Sequence, residues 1–354
     1  MNACTEWKAH GENDLAYRSK ESFQMKKPKI LVVGSFVMDQ IATTTVFPKE
    51  GETVLGEYFS KAPGGKGANQ AVQAARLGAD VTMVGKLGRD SNAEDMLKVC
   101  REAGIDVSHV AFDENTPSGC SVIILEQKPG EDTRNRIIVL SGTNMKITAQ
   151  DVAFLKDSIA DYDLVILQLE IPMEINELVA KYAHDKGVPV MLNPAPSAPL
   201  SDSLLSNITY ISPNEHEAAA LTGVKIDHEG ENFNREQAKE AAQKLFDKGV
   251  KNVLITMGTA GAVLMNEKET IFSPTINSIK AVDPTAAGDS FVSSFCTGLV
   301  AGWSIQEALD FSNCVATLTV SEKGAMPSLP TLEKVKKFNK EHGFKIPDTS
   351  SLEK

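Results

Sequence analysis

Val282-Asp-Pro-Thr-Ala-Ala-Gly-Asp-Ser-Phe291 is the most informative stretch of this 354-residue chain. The small residues Ala286, Ala287 and Gly288 open an apolar segment with helical spacing, and the unpaired N–H groups at such a helix start bind anions. Asp289 lies within this anion site, where a carboxylate can take the proton of an attacking hydroxyl while the amides hold a phosphoryl group. The alternative is that Asp289 only stabilises the first turn of the helix.

A second loop, Ala62-Pro-Gly-Gly-Lys-Gly-Ala-Asn-Gln-Ala71, is rich in glycine. Glycine allows the backbone to approach a ligand closely, and Asn69 offers both a donor and an acceptor. The combination suits a polyhydroxy ligand. Taken alone, the same loop is more typical of a flexible turn before a helix.

Short apolar runs alternate with segments of helical period along most of the chain, which predicts βαβ units and a parallel sheet buried on both faces. The fold class is therefore α/β. The predicted strands include Lys29–Val33, Val81–Val84, Leu164–Leu169, Val188–Leu192, Ile208–Ile211 and Val253–Met257. The predicted helices include Ala68–Leu77, Ala93–Ala103, Ile175–Lys186, Arg235–Lys248, Ala286–Val300, Ile305–Val320 and Thr331–His342.

Two regions break this alternation. Glu52–Ser60 and Ser118–Leu140 have strand-like patterns, and the second contains two strands with no helix between them, which predicts an antiparallel hairpin. We expect a small β lid from about residues 50–63 and 118–142, hinged at glycines. The domain proper is predicted over 28–342, residues 1–27 are expected to form an extension outside the fold, and 343–354 a polar, frayed tail.

Composition narrows the class of function. The chain has 36 Lys+Arg and 47 Asp+Glu, a net charge of −11, which argues against nucleic acid or an anionic membrane as partner. No apolar stretch is long enough for a membrane helix, and the N-terminal segment lacks the apolar core of a signal peptide, so we expect a cytoplasmic protein. The five cysteines and six histidines show no zinc-ligand spacing.

The two glycine-rich loops, in this order, resemble the two signatures of the ribokinase family of carbohydrate kinases, also called the PfkB family. The chain has neither of the two common phosphate-loop patterns, GxGxxG after a strand or GxxxxGK[ST], so nucleotide chemistry requires another loop. The resemblance covers about residues 28–342. Further segments that match the family are Gly34–Asp39, Leu167-Gln-Leu-Glu-Ile-Pro172, Leu192-Asn-Pro-Ala-Pro196, Ser212-Pro-Asn-Glu-His-Glu217, Leu254–Gly261 and Lys323-Gly-Ala-Met-Pro-Ser328.

The resemblance implies a three-layer α/β/α sandwich with a nine-stranded, mostly parallel sheet and a β lid, often shared between the subunits of a homodimer. It also implies transfer of a phosphoryl group from ATP to the 5-hydroxyl of a pentose. By the family pattern Asp289 is the catalytic base, assisted by the amides of Ala286, Ala287 and Gly288. The residues it assigns to the sugar, which lies between lid and sheet, are Asp39, Val37, Gly64, Gly65, Lys66, Asn69, Glu170 and Asp289.

The family pattern also implies ATP with Mg²⁺ and a monovalent cation, K⁺, as activator. Hard cations held through phosphates, waters and oxygen ligands need few protein groups. The residues that match the ATP and Mg²⁺ positions are Asn214, Glu217, Thr256, Gly258, Gly261, Gly288 and Asn313. Those that match the cation site, several through backbone carbonyls, are Asp283, Thr285, Thr319, Glu322, Gly324 and Ser328.

Two positions depart from the family pattern. Val37 stands where ribokinases have an Asn that bonds a ring hydroxyl attributed to the 2-position, and an unsatisfied buried hydroxyl costs on the order of 1–3 kcal/mol. Related deoxyribokinases also carry an apolar residue there, so 2-deoxy-D-ribose rivals D-ribose as substrate. Pro284 stands where Thr is usual, removes an N–H beside the cation loop and could weaken the cation dependence. A nucleoside kinase of the same fold and a sugar sensor without catalysis remain as further alternatives.

Overall fold

The computed structural model describes residues 27–128, 130, 133–230, 232–276 and 279–353. The predicted N-terminal extension, 1–27, therefore lies outside the described residues except for Lys27. The segment between the two predicted strands of the lid hairpin, residues 128–132, is described only at residues 128 and 130.

The strands form a large sheet, a smaller sheet and a short two-stranded ribbon. Their bounds are β1 Lys29–Val33, β2 Val37–Thr44, β3 Tyr58–Gly64, β4 Asp80–Gly88, β5 Val110–Asp113, β6 Cys120–Glu126, β7 Arg134–Leu140, β8 Leu164–Gln168, β9 Val190–Asn193, β10 Tyr210–Ile211, β11 His228–Glu229, β12 Asn232–Phe233, β13 Asn252–Thr256, β14 Ala262–Asn266 and β15 Thr270–Ser273.

The helices follow the strands in the order that the sequence predicts, with ends that differ by a few residues at most for the seven that we predicted. Their bounds are α1 Lys66–Arg76, α2 Ser91–Glu102, α3 Leu155–Ser158, α4 Met173–Asp185, α5 Asp202–Asn207, α6 Glu215–Thr222, α7 Arg235–Phe246, α8 Ala287–Val300, α9 Ile305–Val320 and α10 Leu332–His342.

The large sheet has nine strands in the order β15-β14-β13-β10-β9-β8-β1-β4-β5. From β13 to β5 neighbouring strands are parallel, and β14 and β15 add an antiparallel edge. Alternate residues of β1 enter two different cores: Leu31 and Val33 face the layer of α4 to α7, whereas Ile30 and Val32 face α1, α2, α8 and α9. The α/β/α sandwich with a mostly parallel sheet is thus confirmed.

The smaller sheet is the predicted lid, in the order β3-β2-β6-β7, and the β6–β7 hairpin is antiparallel as expected. Its bounds correct our prediction in two places. Residues 50–57 do not belong to a strand, because β3 begins at Tyr58. Conversely β2, Val37–Thr44, is a lid strand that we did not predict, and it pairs in parallel with β6.

The C-terminal tail also differs from prediction. Instead of fraying, residues 343–353 pack on the body: the Trp303 indole donates a 2.7 Å hydrogen bond to the carbonyl of Asp348, and Leu352 is only 4% exposed. Leu352 joins the core formed by Leu77, Trp303 and Phe338. A few apolar residues in a polar segment are therefore enough to fix this tail.

Candidate active site

Asp289 lies at the point where the two glycine-rich segments meet. It occupies the first turn of α8, is 6% exposed, and has both carboxylate oxygens hydrogen-bonded to α1. The Asn69 amide donates to Oδ2 at 2.9 Å, and the Gln70 amide donates to Oδ1 at 3.0 Å. The side chain therefore faces the first glycine-rich loop, as expected for a group that acts between a sugar and a phosphate.

The N-terminus of α8 is open. Ala286 precedes the helix in the left-handed conformation (φ 60°, ψ 8°), an unfavourable one for a non-glycine residue, which the surrounding structure must hold in place. A methyl group built on Gly288 would meet no described atom within 4 Å. N–H groups of a first helical turn have no intrahelical acceptor, so those of Gly288 and Asp289 are available to an anion.

The first glycine-rich loop touches the turn that follows β1. A Cβ on Gly65 would come within 2.7 Å of the Val37 nitrogen, and one on Gly67 within 2.5 Å of the Ser35 nitrogen. Both positions therefore require glycine, and Gly65 also has a φ of 94°. This close approach brings the start of α1 against the lid strand β2.

Acidic side chains gather where these loops meet. The Asp39 carboxylate on β2 accepts a 2.5 Å hydrogen bond from the Ser121 hydroxyl. Glu170 accepts from the Ser35 hydroxyl and, at 3.0 Å, from the Lys66 N–H. Burial raises the pKa of Asp39, the Ser121 hydroxyl lowers it, and the charge of Glu170 raises it again, so the pKa lies above its usual value. Paired carboxylates of this kind are well suited to vicinal hydroxyls.

The Lys66 ammonium carries the positive charge of this region. Burial alone would lower its pKa, but the negative charges of Asp289, Glu170 and Glu217 outweigh burial and raise the pKa above its usual value. The lysine therefore stays charged among three acids from different elements. A cation in this position compensates the charge of a phosphate that enters the site.

Val37 is 6% exposed and pairs with Gly64 across β2 and β3. It lies two residues before Asp39 in the same strand, so both side chains project from one face of the lid. The position that departs from the family pattern thus shares a face with the acid assigned to the sugar.

Asn214 and Glu217 form the capping box of α6. The Asn214 side chain accepts from the N–H groups of His216 and Glu217, and the Glu217 carboxylate accepts from the Asn214 N–H at 2.8 Å. Burial raises the pKa of Glu217; the Asn214 hydrogen bond and Lys66 lower it, and Asp289 and Glu215 raise it, leaving it above its usual value. Because the charges of Lys66 and Asp289 both act on Glu217, this end of α6 lies near the two glycine-rich loops.

The turn between β13 and β14 forms the remaining predicted nucleotide loop. Thr256 bridges to Asn214 at the end of β13, and Gly258 and Gly261 both have positive φ. A Cβ on Gly261 would lie 2.2 Å from the Ser273 carbonyl oxygen. The Asn313 amide donates to the Ser273 hydroxyl at 2.7 Å, so this late-helix residue reaches the same loop.

Part of the predicted cation site is assembled by Asp283. Its carboxylate accepts from the N–H and hydroxyl of Thr285, at 2.9 and 2.6 Å, and from the Gly324 N–H at 2.9 Å. Burial would raise the pKa of Asp283, but these hydrogen bonds outweigh burial and lower it. The carboxylate therefore joins two segments far apart in the chain and stays charged.

Other side chains of the predicted cation set do not converge on this point. Glu322 forms an ion pair with Lys334, and the hydroxyls of Thr319 and Ser328 donate to carbonyls in their own turns. A contribution of these residues through main-chain carbonyls stays a prediction. Over the described residues no cluster of three or more His, Cys, Asp or Glu could hold a metal ion.

Several residues of this site were missed at the sequence level. Gln70 contacts the Asp289 carboxylate directly, and Gln168 and Asn193 contact Gln70 in turn. Ser35 and Ser121 donate hydrogen bonds to Glu170 and Asp39, the two acids predicted to bind the sugar. The signal for the amides was a cluster of polar residues at strand ends and at a helix start, positions where an ordinary core would be apolar.

Comparison with known proteins agrees with this geometry. The family model described as pfkB family carbohydrate kinase matches residues 27–332. A ribokinase from Haemophilus influenzae is 38% identical over 87% of this chain and 97% of its own length, and a deoxyribokinase from Salmonella typhi is 32% identical over 87% of this chain and 98% of its own.

A solved structure supports the same assignment. The ribokinase of Arabidopsis thaliana complexed with ribose and ATP superposes with a TM-score of 0.79 at 34% identity, covering 88% of this chain and 98% of that one. Among the described residues no helix is long and apolar enough to cross a bilayer. With its nine-stranded sheet, its lid and both glycine-rich loops in place, the chain belongs to the pfkB family of carbohydrate kinases.

Proposed function

We propose that the protein transfers the terminal phosphoryl group of ATP to the 5-hydroxyl of D-ribose. The observation that carries this proposal is the Asp289 carboxylate, held through both oxygens at an open helix start and beside the Lys66 loop. The similarity to a ribokinase bound to ribose and ATP supports both substrates.

In the proposed reaction Asp289 accepts the proton of the sugar hydroxyl as its oxygen attacks the terminal phosphorus of ATP. The new O–P bond forms as the bond to the bridging oxygen breaks, and ADP leaves. The N–H groups around Gly288 hold the developing negative charge, and Lys66 compensates it. On the sugar side, the carboxylates of Asp39 and Glu170 accept hydrogen bonds from the sugar hydroxyls. The Asn69 side-chain amide can both donate to them and accept from them.

Mg²⁺ bound to the nucleotide would neutralise phosphate charge. Glu217 fits a role beside it, because its carboxylate is electrostatically coupled to Lys66 and Asp289 and because carboxylates are the ligands that Mg²⁺ or its waters prefer. Asn214 holds Glu217 in place through the capping box. Gly258, Gly261 and Asn313 would line the rest of the nucleotide site.

A monovalent cation, K⁺, would be held beside the start of α8 by oxygen atoms of the two segments that Asp283 joins. The oxygen-only donor set of Asp283, Thr285 and the 319–328 segment fits K⁺. The bound K⁺ would stabilise the conformation of the anion-binding loop at the start of α8. Since Asp283 already links these segments by hydrogen bonds, and Pro284 lacks an N–H, activation by K⁺ is expected to be modest.

The second candidate substrate is 2-deoxy-D-ribose, which the buried Val37 favours. An apolar side chain on the same face as Asp39 leaves a 2-hydroxyl without one of its partners. A sugar that lacks this hydroxyl avoids the penalty.

We also propose a homodimer through the lid. The two edge strands of the lid, β3 and β7, each expose large apolar side chains, among them Tyr58, Phe59, Ile138 and Val139, between 58% and 67% exposed. Exposed apolar side chains on the edge strands of a sheet favour pairing with another chain. Light scattering should give about twice the 38.1 kDa chain mass, and Ile138→Glu should lower it. A monomer in the unmodified protein would contradict this proposal.

The function is tested by coupled ADP release with ATP and a panel of ribose, 2-deoxyribose, nucleosides and hexoses, with the product identified by ³¹P NMR. We expect turnover with a pentose and a 5-phosphate product. Turnover with a nucleoside alone would support a nucleoside kinase instead, and sugar binding without any turnover would support a sensor.

A further inference from the structure

We propose that Gln70 is the positioning residue that holds the Asp289 carboxylate in the orientation needed for proton abstraction. This inference rests on the proposed role of Asp289 as catalytic base. Gln70 does not belong to the set assigned to sugar or nucleotide. It is completely buried in α1, one residue after Asn69.

The two hydrogens of the Gln70 amide are both committed. One is donated to Asp289 Oδ1 at 3.0 Å and the other to Asn193 Oδ1 at 3.2 Å. Because Asn69 holds Oδ2 from the same helix, the two amides fix the plane of the carboxylate. Each oxygen keeps a second lone pair for a substrate proton.

The orientation of the Gln70 amide is fixed in turn by two sheet strands. The Gln168 amide at the end of β8 donates to Gln70 Oε1 at 2.6 Å, and the Asn193 amide at the end of β9 donates to the Ser212 carbonyl at 2.8 Å, which leaves its oxygen for Gln70. Gln168 Oε1 has no hydrogen-bond partner among the described residues, so its bond to Gln70 sets its orientation.

A flipped Gln70 amide would be strongly disfavoured. Its oxygen would then face Asp289 Oδ1 and Asn193 Oδ1, and its nitrogen would face the Gln168 nitrogen. The contacts with Asp289 and Asn193 would change from attractive to repulsive, and Gln168 would have to flip as well, in a buried environment where unmet polar groups are costly. The network therefore presents a donor, and only a donor, to the base.

A neutral donor aimed at a carboxylate favours its ionised form and restrains its rotation. The charged groups that act on Asp289 are Lys66 at the start of α1 and Glu217 in the first turn of α6. At the ends of β8 and β9, the described side chains that contact Gln70 are the uncharged Gln168 and Asn193, while the charged Glu170, two residues after Gln168, accepts from the Lys66 N–H. Loss of the Gln70 donor would remove one hydrogen bond from the ionised Asp289 carboxylate and leave it free to rotate, with the sugar contacts unchanged.

The test is Gln70→Met, which keeps the length of the side chain and removes the amide. We expect kcat to fall roughly 10- to 100-fold, as for loss of a hydrogen bond to a charged group. The acid limb of the kcat/KM profile should move to higher pH, and the ribose Kd by calorimetry should change less than about threefold. A purely structural role would not move the acid limb.

Gln73→Met is the matched control. Gln73 is also completely buried and lies one turn along α1, but its amide donates to the Pro330 carbonyl at 3.0 Å. Gln73→Met therefore removes a side-chain amide from the same helix without changing a contact to Asp289. We expect a comparable loss of thermal stability and an acid limb that stays in place.

Two outcomes separate this inference from the proposed function. If Asp289→Asn retains turnover, the base assignment and this inference both fail. If Asp289→Asn abolishes turnover while Gln70→Met keeps kcat and its acid limb, the positioning role alone is overturned. Should Gln70→Met not fold, Gln168→Met decides: a smaller shift in the same direction supports the role, and an unmoved acid limb overturns it.

Discussion

At the scale of single residues, Val37 is expected to set the preference between ribose and 2-deoxyribose. Val37→Asn supplies an amide on the face of β2 that carries Asp39, so the ratio of kcat/KM for ribose over 2-deoxyribose should rise roughly tenfold or more. Steady-state kinetics with both sugars measures it. Val37→Leu introduces a side chain shaped like that of Asn but without polar groups, and it should not shift the ratio. If Val37→Asn also leaves the ratio unchanged, our account of this position is wrong.

Replacement of Asp39 should change both the ribose affinity and the pH dependence of the protein's stability. The pKa of Asp39 is raised, chiefly by burial, so the folded protein holds this proton more tightly than the unfolded chain and loses stability as the pH rises through the carboxyl range. Asp39→Asn cannot ionise. Its melting temperature relative to the unmodified protein should therefore increase between about pH 4 and 7, while ribose affinity falls roughly tenfold.

Asp90 provides the control of opposite sign. Burial would raise the pKa of Asp90, but hydrogen bonds from Ser118 and Ala93 outweigh it and lower the pKa. The unmodified protein should therefore gain stability with rising pH below about pH 5, and Asp90→Asn should become relatively less stable over that lower range. Thermal unfolding across pH measures both variants, and parallel curves for the two would refute the argument.

At this scale the sequence indicated which two loops matter, and their meeting is observed, whereas the roles of their residues stay predictions. Asp289 and Asn69 stand in glycine-rich segments whose composition indicates ligand contact, and the structure brings them within 2.9 Å. Gln70 was not predicted, because a polar residue in a helix usually faces solvent. Only the crossing of α1 over the ends of β8 and β9 shows that it is buried.

At the scale of elements, the β13–β14 turn is expected to govern ATP use. Gly261→Ala would force a methyl group within 2.2 Å of the Ser273 carbonyl oxygen at a φ of 97°, displacing the turn. We expect a roughly ten- to hundredfold loss of kcat/KM for ATP with unchanged ribose binding. Nucleotide titration and sugar calorimetry measure the two effects.

Gly302→Ala is the control for backbone strain in this experiment. Gly302 follows α8 with a φ of 87°, and a Cβ there would meet no described atom within 4 Å. Gly302→Ala therefore has the backbone strain of a positive φ but not the steric clash that the methyl group of Gly261→Ala would make. A loss of ATP use in Gly302→Ala as large as that in Gly261→Ala would contradict the local explanation.

The elements themselves were predicted where their hydrophobic period was clear. α9, Ile305–Val320, has the predicted bounds, whereas β2 was missed because five of its eight residues are half-buried and the strand shows no alternation. β7 was predicted from its apolar run. The exposure of all seven β7 residues could not be predicted, because a continuous apolar run normally indicates a strand buried on both faces.

At the scale of the whole molecule, the C-terminal tail should contribute to the stability of the fold. Leu352→Ala removes a buried side chain from the cluster around Trp303 and should lower the free energy of unfolding by about 2–3 kcal/mol. Denaturant unfolding measures it. Leu55→Ala, at a side chain that is 91% exposed, should change it by less than about 0.5 kcal/mol; equal effects would contradict the packing of the tail.

The global architecture was predictable because alternating strands and helices leave few topologies for a parallel sheet. The packing of the tail was not, because its polar composition hides the few groups that attach it, among them the Leu352 side chain and the Asp348 carbonyl. Contacts of this kind join positions 45 residues or more apart and leave no local pattern.

The central claim is that the Asp289 carboxylate removes the proton of the sugar hydroxyl. The most direct measurement is single-turnover phosphoryl transfer from ATP to ribose by Asp289→Asn, with ribose binding followed by calorimetry on the same sample. We predict a rate at least about a hundredfold lower with ribose still bound. A variant that binds ribose and transfers the phosphoryl group at nearly the original rate would contradict the account.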